Sequence, residues 1–417
     1  MAVSDRPAPV GALSFGNVMI AIGGIYVTQT LVSALTFQAL PAVLRSSGVG
    51  LDSIALLSAA MLPWALKFIW APAVERYRLP AGAARRSRQI IVAGQLGIGV
   101  VFAAMSLADP ANVPVILLML GLSATISATV DIACDGFAIE QLRAHERGWG
   151  NVAQVGGSYL GALFGGGLFL VLVARMGWSA AAAGMAGFIV LMTLPFALTR
   201  EPRRSVSADF VHRPSLAYAL ARPEIRLGLV LTVMFDAGAR LAFSVVSPFM
   251  VDAGVDLATL GWAFGVGGAI AGMLGTLAGG VGVRMAGTRV AVIATIGLQI
   301  SSLLVLVAFA SAGSRQHEWL IAALLWHSAV MAIGYVSLYS HLMGLASLRQ
   351  AGVDFTLFQC ANAAASMVVG FLGTIVAQRL GYAGSFALAL AMAIATMFIM
   401  PIILRRLPSA ANEAVTT

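Results

Sequence analysis

Long apolar runs recur along the whole chain and are separated by short polar segments. A helix that crosses a bilayer needs roughly 20 predominantly apolar residues, whereas the strands of a membrane barrel alternate apolar and polar residues. These runs have the length of spanning helices and do not alternate, so the pattern predicts an all-α membrane protein. The twelve predicted spans cover residues 14–36, 52–73, 89–108, 113–139, 149–173, 178–199, 226–249, 257–280, 290–311, 318–343, 355–378 and 382–404.

The longest polar connection covers residues 200–225 and lies at the middle of the chain. It contains Pro202, Pro214 and Pro223, which prevent one continuous helix. The segments on either side resemble each other at an offset of about 205 residues, as in ERGWGNVAQVGGSYLGALFGG and VDFTLFQCANAAASMVVGFLG. This pattern predicts two pseudo-symmetric six-helix halves, residues 1–199 and 226–417, joined by a cytoplasmic linker at 200–225.

Composition identifies lipid as the main solvent of the chain. Of its 417 residues, 59% are hydrophobic and 10% are charged, against about a quarter charged in soluble domains. The net charge of +8 therefore does not indicate nucleic-acid binding. Cys134 and Cys360 fall inside apolar spans, which predicts free thiols, and neither a metal-ligand spacing nor an ATP-binding GxxxxGK[ST] motif is present. The first apolar run is expected to be retained as a helix, because no signal-peptide pattern precedes it.

Basic residues are distributed unequally between the two sides of the predicted bundle. If both termini share one side, 19 of the 25 Lys and Arg residues lie on that side and four on the other, while Lys67 and Arg240 lie within spans. Positively charged loops remain in the cytoplasm. The sequence therefore predicts cytoplasmic termini and an even number of spans.

The loop after the second span resembles a signature of the major facilitator superfamily, with Glu75-Arg76 followed by Arg85-Arg86-Ser87-Arg88. It departs from that signature in having Glu for Asp and Ala71-Pro72 where glycine is usual. Residues 38–76, 128–142 and 354–366 are similar to the muropeptide-permease (AmpG-like) branch. The compact length and twelve spans look closest to the ferric-siderophore permeases of the RhtX/FptX type.

The resemblance implies a single-component permease of the bacterial inner membrane. Such a protein would import a ferric siderophore from the periplasm by alternating access, as a proton-driven symporter and a monomer without a cofactor. The alternatives are import of a muropeptide or another periplasmic solute, efflux of a siderophore or drug, and a non-transporting sensor or scaffold. An enzyme is not indicated, because no nucleophile–base constellation is found.

Charged residues inside spans are costly and mark functional sites or internal pairs. Lys67, the only lysine, either faces the cavity, where it binds an anionic substrate or pairs with a carboxylate, or snorkels to the headgroups. Asp131 and Asp135 are four residues apart on one helix face. Asp131 is a candidate proton carrier, since nearby buried carboxylates favour protonation. Asp135 and Glu140, with Glu75 and Arg76, are candidates for a cytoplasmic gate in which a carboxylate pairs with a loop arginine.

Asp236 and Arg240 in the seventh span also lie four residues apart. They either neutralise each other within the helix or present the guanidinium to a substrate carboxylate, with Asp236 as a proton-sensitive partner. Aromatic and amide side chains within spans are further candidates for substrate contact: Tyr26, Gln29, Trp64, Trp326, Tyr335, Tyr339, Gln359 and Asn362. His327 and His341 are interpreted as packing or hydrogen-bonded residues.

Overall fold

The computed structural model describes residues 13–46, 56–80, 85–143, 145–199, 213–313 and 315–407. Every regular element within these ranges is helical. Residues 200–212, which form half of the predicted linker, lie outside the described ranges. The rest of the linker contains a short helix, Leu216–Ala221.

The helices are labelled α1 to α12 along the chain. The first six are α1 (Phe15–Ala34, continued by Leu35–Ala39 and Leu40–Ser46), α2 (Leu56–Met61, Leu62–Leu66, Lys67–Ile69 and Ala71–Arg78), α3 (Ser87–Met105), α4 (Val113–Gln141), α5 (Arg147–Ala162 and Leu163–Leu168, continued to 176) and α6 (178–198). The second six are α7 (Pro223–Asp252), α8 (Leu257–Trp262, Ala263–Gly267 and Gly268–Ala286), α9 (Thr288–Ser311), α10 (His317–Leu345), α11 (351–380) and α12 (382–406).

The predicted breaks between α5 and α6 and between α11 and α12 are each made by one glycine. Gly177 has φ 82° and ψ 170°, and Gly381 has φ 71° and ψ 175°. Glycine adopts positive φ without the steric cost that a Cβ imposes. Nine helical runs in the described residues are long and apolar enough to cross a membrane, and two of them contain these breaks. With the segmented α2, this agrees with the predicted twelve spans.

Helix α2 is less regular than the predicted span 52–73. It alternates 3₁₀ and α-helical segments and extends to Arg78. Pro63 and Pro72 each lie near the start of an α-helical segment, where a missing N–H costs least. Lys67 begins the intervening 3₁₀ turn.

The two sets of six helices repeat the same close contacts. A Cβ at Gly165 in α5 would lie 2.3 Å from the carbonyl oxygen of Leu31 in α1. A Cβ at Gly373 in α11 would likewise lie 2.8 Å from the carbonyl oxygen of Leu241 in α7. Only glycine permits such an approach between helix backbones. The equivalent contacts support the pseudo-symmetric 6+6 arrangement.

The halves pack together at one end of the bundle, here called the arginine-rich end because it holds the α2–α3 and α4–α5 loops. Val353 of α11 packs there with Ala71 and Ile132 of the first half. The Asn151 amide donates to Ser340 Oγ across the interface at 3.2 Å.

At the opposite end, the two halves have separate apolar cores. One cluster contains residues of α1 to α6 alone, such as Phe102 and Ile189. Another contains residues of α7 to α12 alone, such as Phe249 and Phe386. This arrangement is closed at the arginine-rich end and divided at the other.

Candidate functional site

Lys67 lies at the centre of a buried polar cluster. Its amino group forms an ion pair with Asp131 of α4 and donates a hydrogen bond to Gln359 Oε1 of α11. Only 2% of its side chain is exposed. The snorkelling alternative for Lys67 is therefore wrong, and pairing with a carboxylate is confirmed. An isolated buried ammonium would be very costly, whereas this one is both paired and hydrogen-bonded.

Asp135 faces the same cluster one turn along α4. Its Oδ1 accepts a hydrogen bond from the Tyr26 hydroxyl at 2.7 Å, and its Oδ2 accepts one from Gln359 Nε2 at 2.8 Å. These bonds correct the predicted pairing of Asp135 with a loop arginine. Tyr26, Lys67, Asp131, Asp135 and Gln359 are called the lysine cluster below. It draws on α1, α2 and α4 of one half and on α11 of the other.

Two further candidates adjoin the lysine cluster. The Lys67 amino group lies 5.0 Å from the centre of the Trp64 ring, and the Trp64 carbonyl accepts a hydrogen bond from Cys360 Sγ at 3.7 Å. Trp64 Nε1 and Gln29 Nε2 are buried without a hydrogen-bond partner in the described part of the chain. Buried polar groups normally have partners. Each of these two N–H donors lies one helical turn from a member of the lysine cluster.

A second cluster, called the arginine cluster, lies in the other half. Asp236 Oδ2 accepts hydrogen bonds from Arg240 Nε at 2.8 Å, from the Tyr335 hydroxyl at 3.1 Å and from the Asn362 amide at 3.4 Å. The Arg240 guanidinium also lies 4.9 Å from the centre of the Tyr335 ring. The predicted intrahelical pair of Asp236 and Arg240 is confirmed. Since 29% of the Arg240 side chain is exposed, the pair does not enclose the guanidinium.

Helix α11 connects the two clusters. Gln359 and Asn362 are three residues apart on one helix face, so their positions differ by about 4.5 Å along the helix axis. Tyr339 adds an aromatic side chain, with its ring centre 5.7 Å from that of Tyr335. Trp326 lies apart from both clusters, because 40% of it is exposed and no ring contact or hydrogen bond joins it to them in the described residues.

A third cluster closes the arginine-rich end. Arg78 donates two hydrogen bonds to Glu75, both at 2.7 Å, and a third to Glu140 Oε1 at 2.6 Å. Arg85 pairs with the other oxygen of Glu140 at 3.5 Å. Glu75 also accepts a hydrogen bond from the backbone N–H of Gly352 in the opposite half, at 3.2 Å. The Arg78 cluster (Glu75, Arg78 and Glu140) thus links the halves.

Arg78 is the residue that sequence reasoning missed. Arg76, which the sequence predicts for the gate, is exposed, and its one hydrogen bond within the described residues goes to the Pro214 carbonyl at 3.0 Å. The available signal was the spacing of Arg78 three residues after Glu75, which places both on one helix face. Gly136 makes room for the guanidinium, because a Cβ there would lie 2.9 Å from Arg78 Cζ.

The remaining candidates have structural contacts. His327 lies between Ser302 Oγ at 3.1 Å and the Ala239 carbonyl at 3.2 Å, and His341 contacts Thr288 Oγ1 at 3.1 Å. Both cysteines are buried free thiols, as predicted.

Solved structures with the same helix arrangement cover nearly the whole chain. The human organic anion transporter MFSD10 aligns with a TM-score of 0.70 and 16% identity, over 93% of this chain and all of that one. The Escherichia coli fucose:proton symporter FucP aligns with a TM-score of 0.67 and 16% identity, over 93% of this chain and 99% of that one. A bacterial homologue of the iron transporter ferroportin, in an outward-facing state, aligns with a TM-score of 0.69 and 13% identity. The alignment covers 94% of this chain and all of that one.

The chain adopts the major facilitator fold.

Sequence relatives are more specific. Residues 18–176 match the family described as acetyl-coenzyme A transporter 1. The anhydromuropeptide permease of Escherichia coli K12 is 29% identical over 257 residues, which are 60% of this chain and 52% of that protein. The match therefore spans about half the length of the permease. A putative transporter, AmpG 4, of Rickettsia felis is 23% identical over 381 residues, which are 88% of this chain and 91% of that protein.

Proposed function

We propose that this protein is a secondary transporter of the bacterial inner membrane that imports an anhydromuropeptide-like solute, a sugar joined to a short peptide. Proton symport would drive the import. The similarity to the anhydromuropeptide permease supports this solute class over the ferric siderophore expected from the sequence. The orientation that we propose, with the arginine-rich end in the cytoplasm, follows from the distribution of basic residues.

The observation that carries the proposal is the pair of clusters, one around Lys67 of the first half and one around Asp236 of the second, which α11 joins. Lys67 and Arg240 lie within spans, each paired with a carboxylate. Transporters of this fold bind their substrate between the halves near the midplane of the bilayer. Charged groups at that depth are expensive and are retained where they serve a substrate or an ion.

The donors around the clusters suit a solute that carries carboxylates and hydroxyls. The exposed part of the Arg240 guanidinium can bind a peptide carboxylate with two parallel hydrogen bonds. The unpartnered N–H groups of Gln29 and Trp64 can donate to sugar or peptide oxygens. We assign substrate contacts to these residues and to Tyr335 and Tyr339, whose rings line the same region.

Alternating access supplies the transport step. In the arrangement described here, the halves are held together by the Arg78 cluster and by the Asn151–Ser340 contact at the arginine-rich end. The opposite end is divided between two separate cores. We infer an outward-facing state, from which rocking of the halves would open a path to the cytoplasm.

The deciding experiment compares uptake by cells that lack the permease with uptake by cells in which it is restored, each with and without a protonophore. A radiolabelled anhydromuropeptide should accumulate only in the restored cells, and the protonophore should abolish the accumulation. A panel of ferric siderophores labelled with radioactive iron forms the second arm. Accumulation of a siderophore without accumulation of the muropeptide would overturn the assigned solute class.

The Arg240→Ala variant tests the carboxylate contact. We expect the concentration for half-maximal uptake to rise at least tenfold, because a charge-assisted bidentate contact is lost. Arg284→Ala, at an exposed position in α8, is the matched control and should behave like the wild type. Equal concentrations for half-maximal uptake in both variants would exclude Arg240 as a substrate contact.

A further inference from the structure

Asp131 and Asp135 have different partners, although they lie one turn apart on the same helix face. Asp131 pairs with Lys67, and both residues belong to the first half of the molecule. Its counter-ion would therefore stay beside it however the halves are arranged. Asp135 has no ion pair among the described residues and is held by two neutral donors, the Tyr26 hydroxyl and the Gln359 amide.

The two donors to Asp135 come from opposite halves. Tyr26 is in α1 and moves with Asp135, whereas Gln359 is in α11 of the other half. Opening the arginine-rich end must separate α11 from α4, since Gly352 of α11 closes that interface through Glu75. The separation would also withdraw Gln359. Asp135 would then lose one of its two hydrogen bonds, whereas Asp131 would keep its counter-ion.

We infer that Asp135 carries the transported proton and that Gln359 is a positioning residue that couples its protonation to the arrangement of the halves. The inference deepens the proposed function, because it assumes proton-driven transport. It takes the place of the two sequence-based candidates for the proton, Asp131 and Asp236.

The direction of coupling follows from the hydrogen bonds. A charged Asp135 accepts from Gln359 more strongly than a neutral one, because charge-assisted hydrogen bonds are roughly twice as strong as neutral ones. The ionised form therefore favours the arrangement closed at the arginine-rich end. Protonation weakens the link to α11 and shifts the population toward the arrangement open at that end. A proton taken up from the periplasm would thus promote opening to the cytoplasm, as symport requires.

Other groups near Asp135 could contribute to a pH response. They are Tyr26 of α1, Lys67 of α2, Asp131 and Cys134 of α4, Tyr339 of α10 and the neutral Gln359 of α11. Of the two aspartates in this group, Asp135 alone accepts a hydrogen bond from the opposite half within the described residues. The test must therefore separate Asp135 from Asp131.

The test measures the opening of the purified protein without solute. Val283 is buried against Gly148 across the closed interface, so a cysteine at 283 should react with a maleimide only after opening. The background is Cys134→Ala/Cys360→Ala. Leu107→Cys, at an exposed loop position, corrects for the effect of pH on thiol reactivity. We expect the ratio of labelling rates, 283 over 107, to rise about fivefold as the pH falls from about 8 to about 5.5.

The variants decide between the two aspartates. Asp135→Asn should give a high ratio at every pH, and Asp131→Asn should retain the pH response. Gln359→Ala should reduce the response, because proton binding would no longer depend on the position of α11. A full response in Asp135→Asn, or its loss in Asp131→Asn, would overturn the assignment. If Asp135→Asn does not fold, an unreduced response in Gln359→Ala would overturn it instead.

The experiment is independent of the identity of the solute. A normal pH response in a protein that transports no muropeptide would refute the proposed solute and leave the assignment of the proton intact. Muropeptide accumulation without the predicted pH response would support the proposed solute and refute the assignment of the proton to Asp135.

Discussion

At the scale of single residues, Arg78 holds together the buried carboxylates at the closed end. Its guanidinium is fully buried and pairs with both Glu75 and Glu140, which are themselves almost completely buried, while Arg85 provides a second positive charge beside Glu140. Removing one member of a buried ionic group leaves uncompensated charge in a medium of low polarity. The stability of this buried cluster therefore depends more on Arg78 than on its exposed neighbours.

Arg78→Ala should lower the free energy of unfolding by about 3–5 kcal/mol, because the buried Glu75 loses its cationic partner and Glu140 keeps only the longer pair with Arg85. Thermal unfolding of the purified protein in detergent checks this. Arg76→Ala is the matched control from the same helix, since Arg76 is exposed and, among the described residues, donates a hydrogen bond to the Pro214 carbonyl alone. Similar melting temperatures for the two variants would show that Arg78 does not hold the buried cluster together.

The sequence identified the charged residues within spans better than it identified their partners. Lys67, Asp131 and Asp135 were predicted from their cost in an apolar run, which is a local property. The cavity that accepts Arg78 depends on Gly136 of another helix, and the bond from Gln359 to Asp135 joins residues 224 positions apart. Such contacts depend on helix packing, which a hydropathy pattern does not specify.

At the scale of elements, the start of α11 determines how closely the halves approach. A Cβ at Gly352 would lie 2.7 Å from Glu75 Oε2 and 2.7 Å from the Ile132 carbonyl oxygen. Both distances are shorter than van der Waals contact, and backbone atoms cannot rotate away. Any larger residue would push α11 away from α2 and α4.

Gly352→Ala should therefore favour the arrangement open at the arginine-rich end. We expect the maleimide reactivity of a cysteine at position 283 to increase several-fold at neutral pH, since steric overlap in a packed interface costs about 1–3 kcal/mol. Gly370→Ala in the same helix is the control, because its nearest contact would be an ordinary 3.7 Å from Ser244. Unchanged reactivity in Gly352→Ala would mean that the interface accommodates the added methyl group without opening.

The sequence predicts where the helices lie more accurately than how regular each helix is. The breaks at Gly177 and Gly381 fall between predicted spans. The prediction for α2 failed to show its 3₁₀ segments and its extension to Arg78. Residues 74–78 are polar enough to resemble a loop, yet Glu75 and Arg78 are buried by contacts with α4 and α11, so tertiary packing overrides the local pattern.

At the scale of the whole molecule, the unequal distribution of arginines determines orientation. The sequence places 19 basic residues on one side and four on the other, and the structure gathers the contacts between halves at the first of these sides. Since positively charged loops are retained in the cytoplasm, the closed end should face the cytoplasm.

Reporter fusions test this orientation. Green fluorescent protein fused after residue 417 should fluoresce, and alkaline phosphatase at the same position should be inactive, because both termini are expected in the cytoplasm. Fusions after Leu107, in the loop between α3 and α4, should give the opposite pair of results. Active phosphatase at the C-terminus would reverse the orientation, and with it the proposed direction of import.

The glycine breaks also have a mechanical consequence. Gly177 is the single residue between α5 and α6, and Gly381 is the single residue between α11 and α12. Neither connection is long enough to let its two helices move independently at that end. A displacement of α5 at that end must be transmitted at once to α6, and a displacement of α11 to α12. Each pair of helices would therefore move as one unit. A movement of α11 at Gln359 would then displace α12 as well.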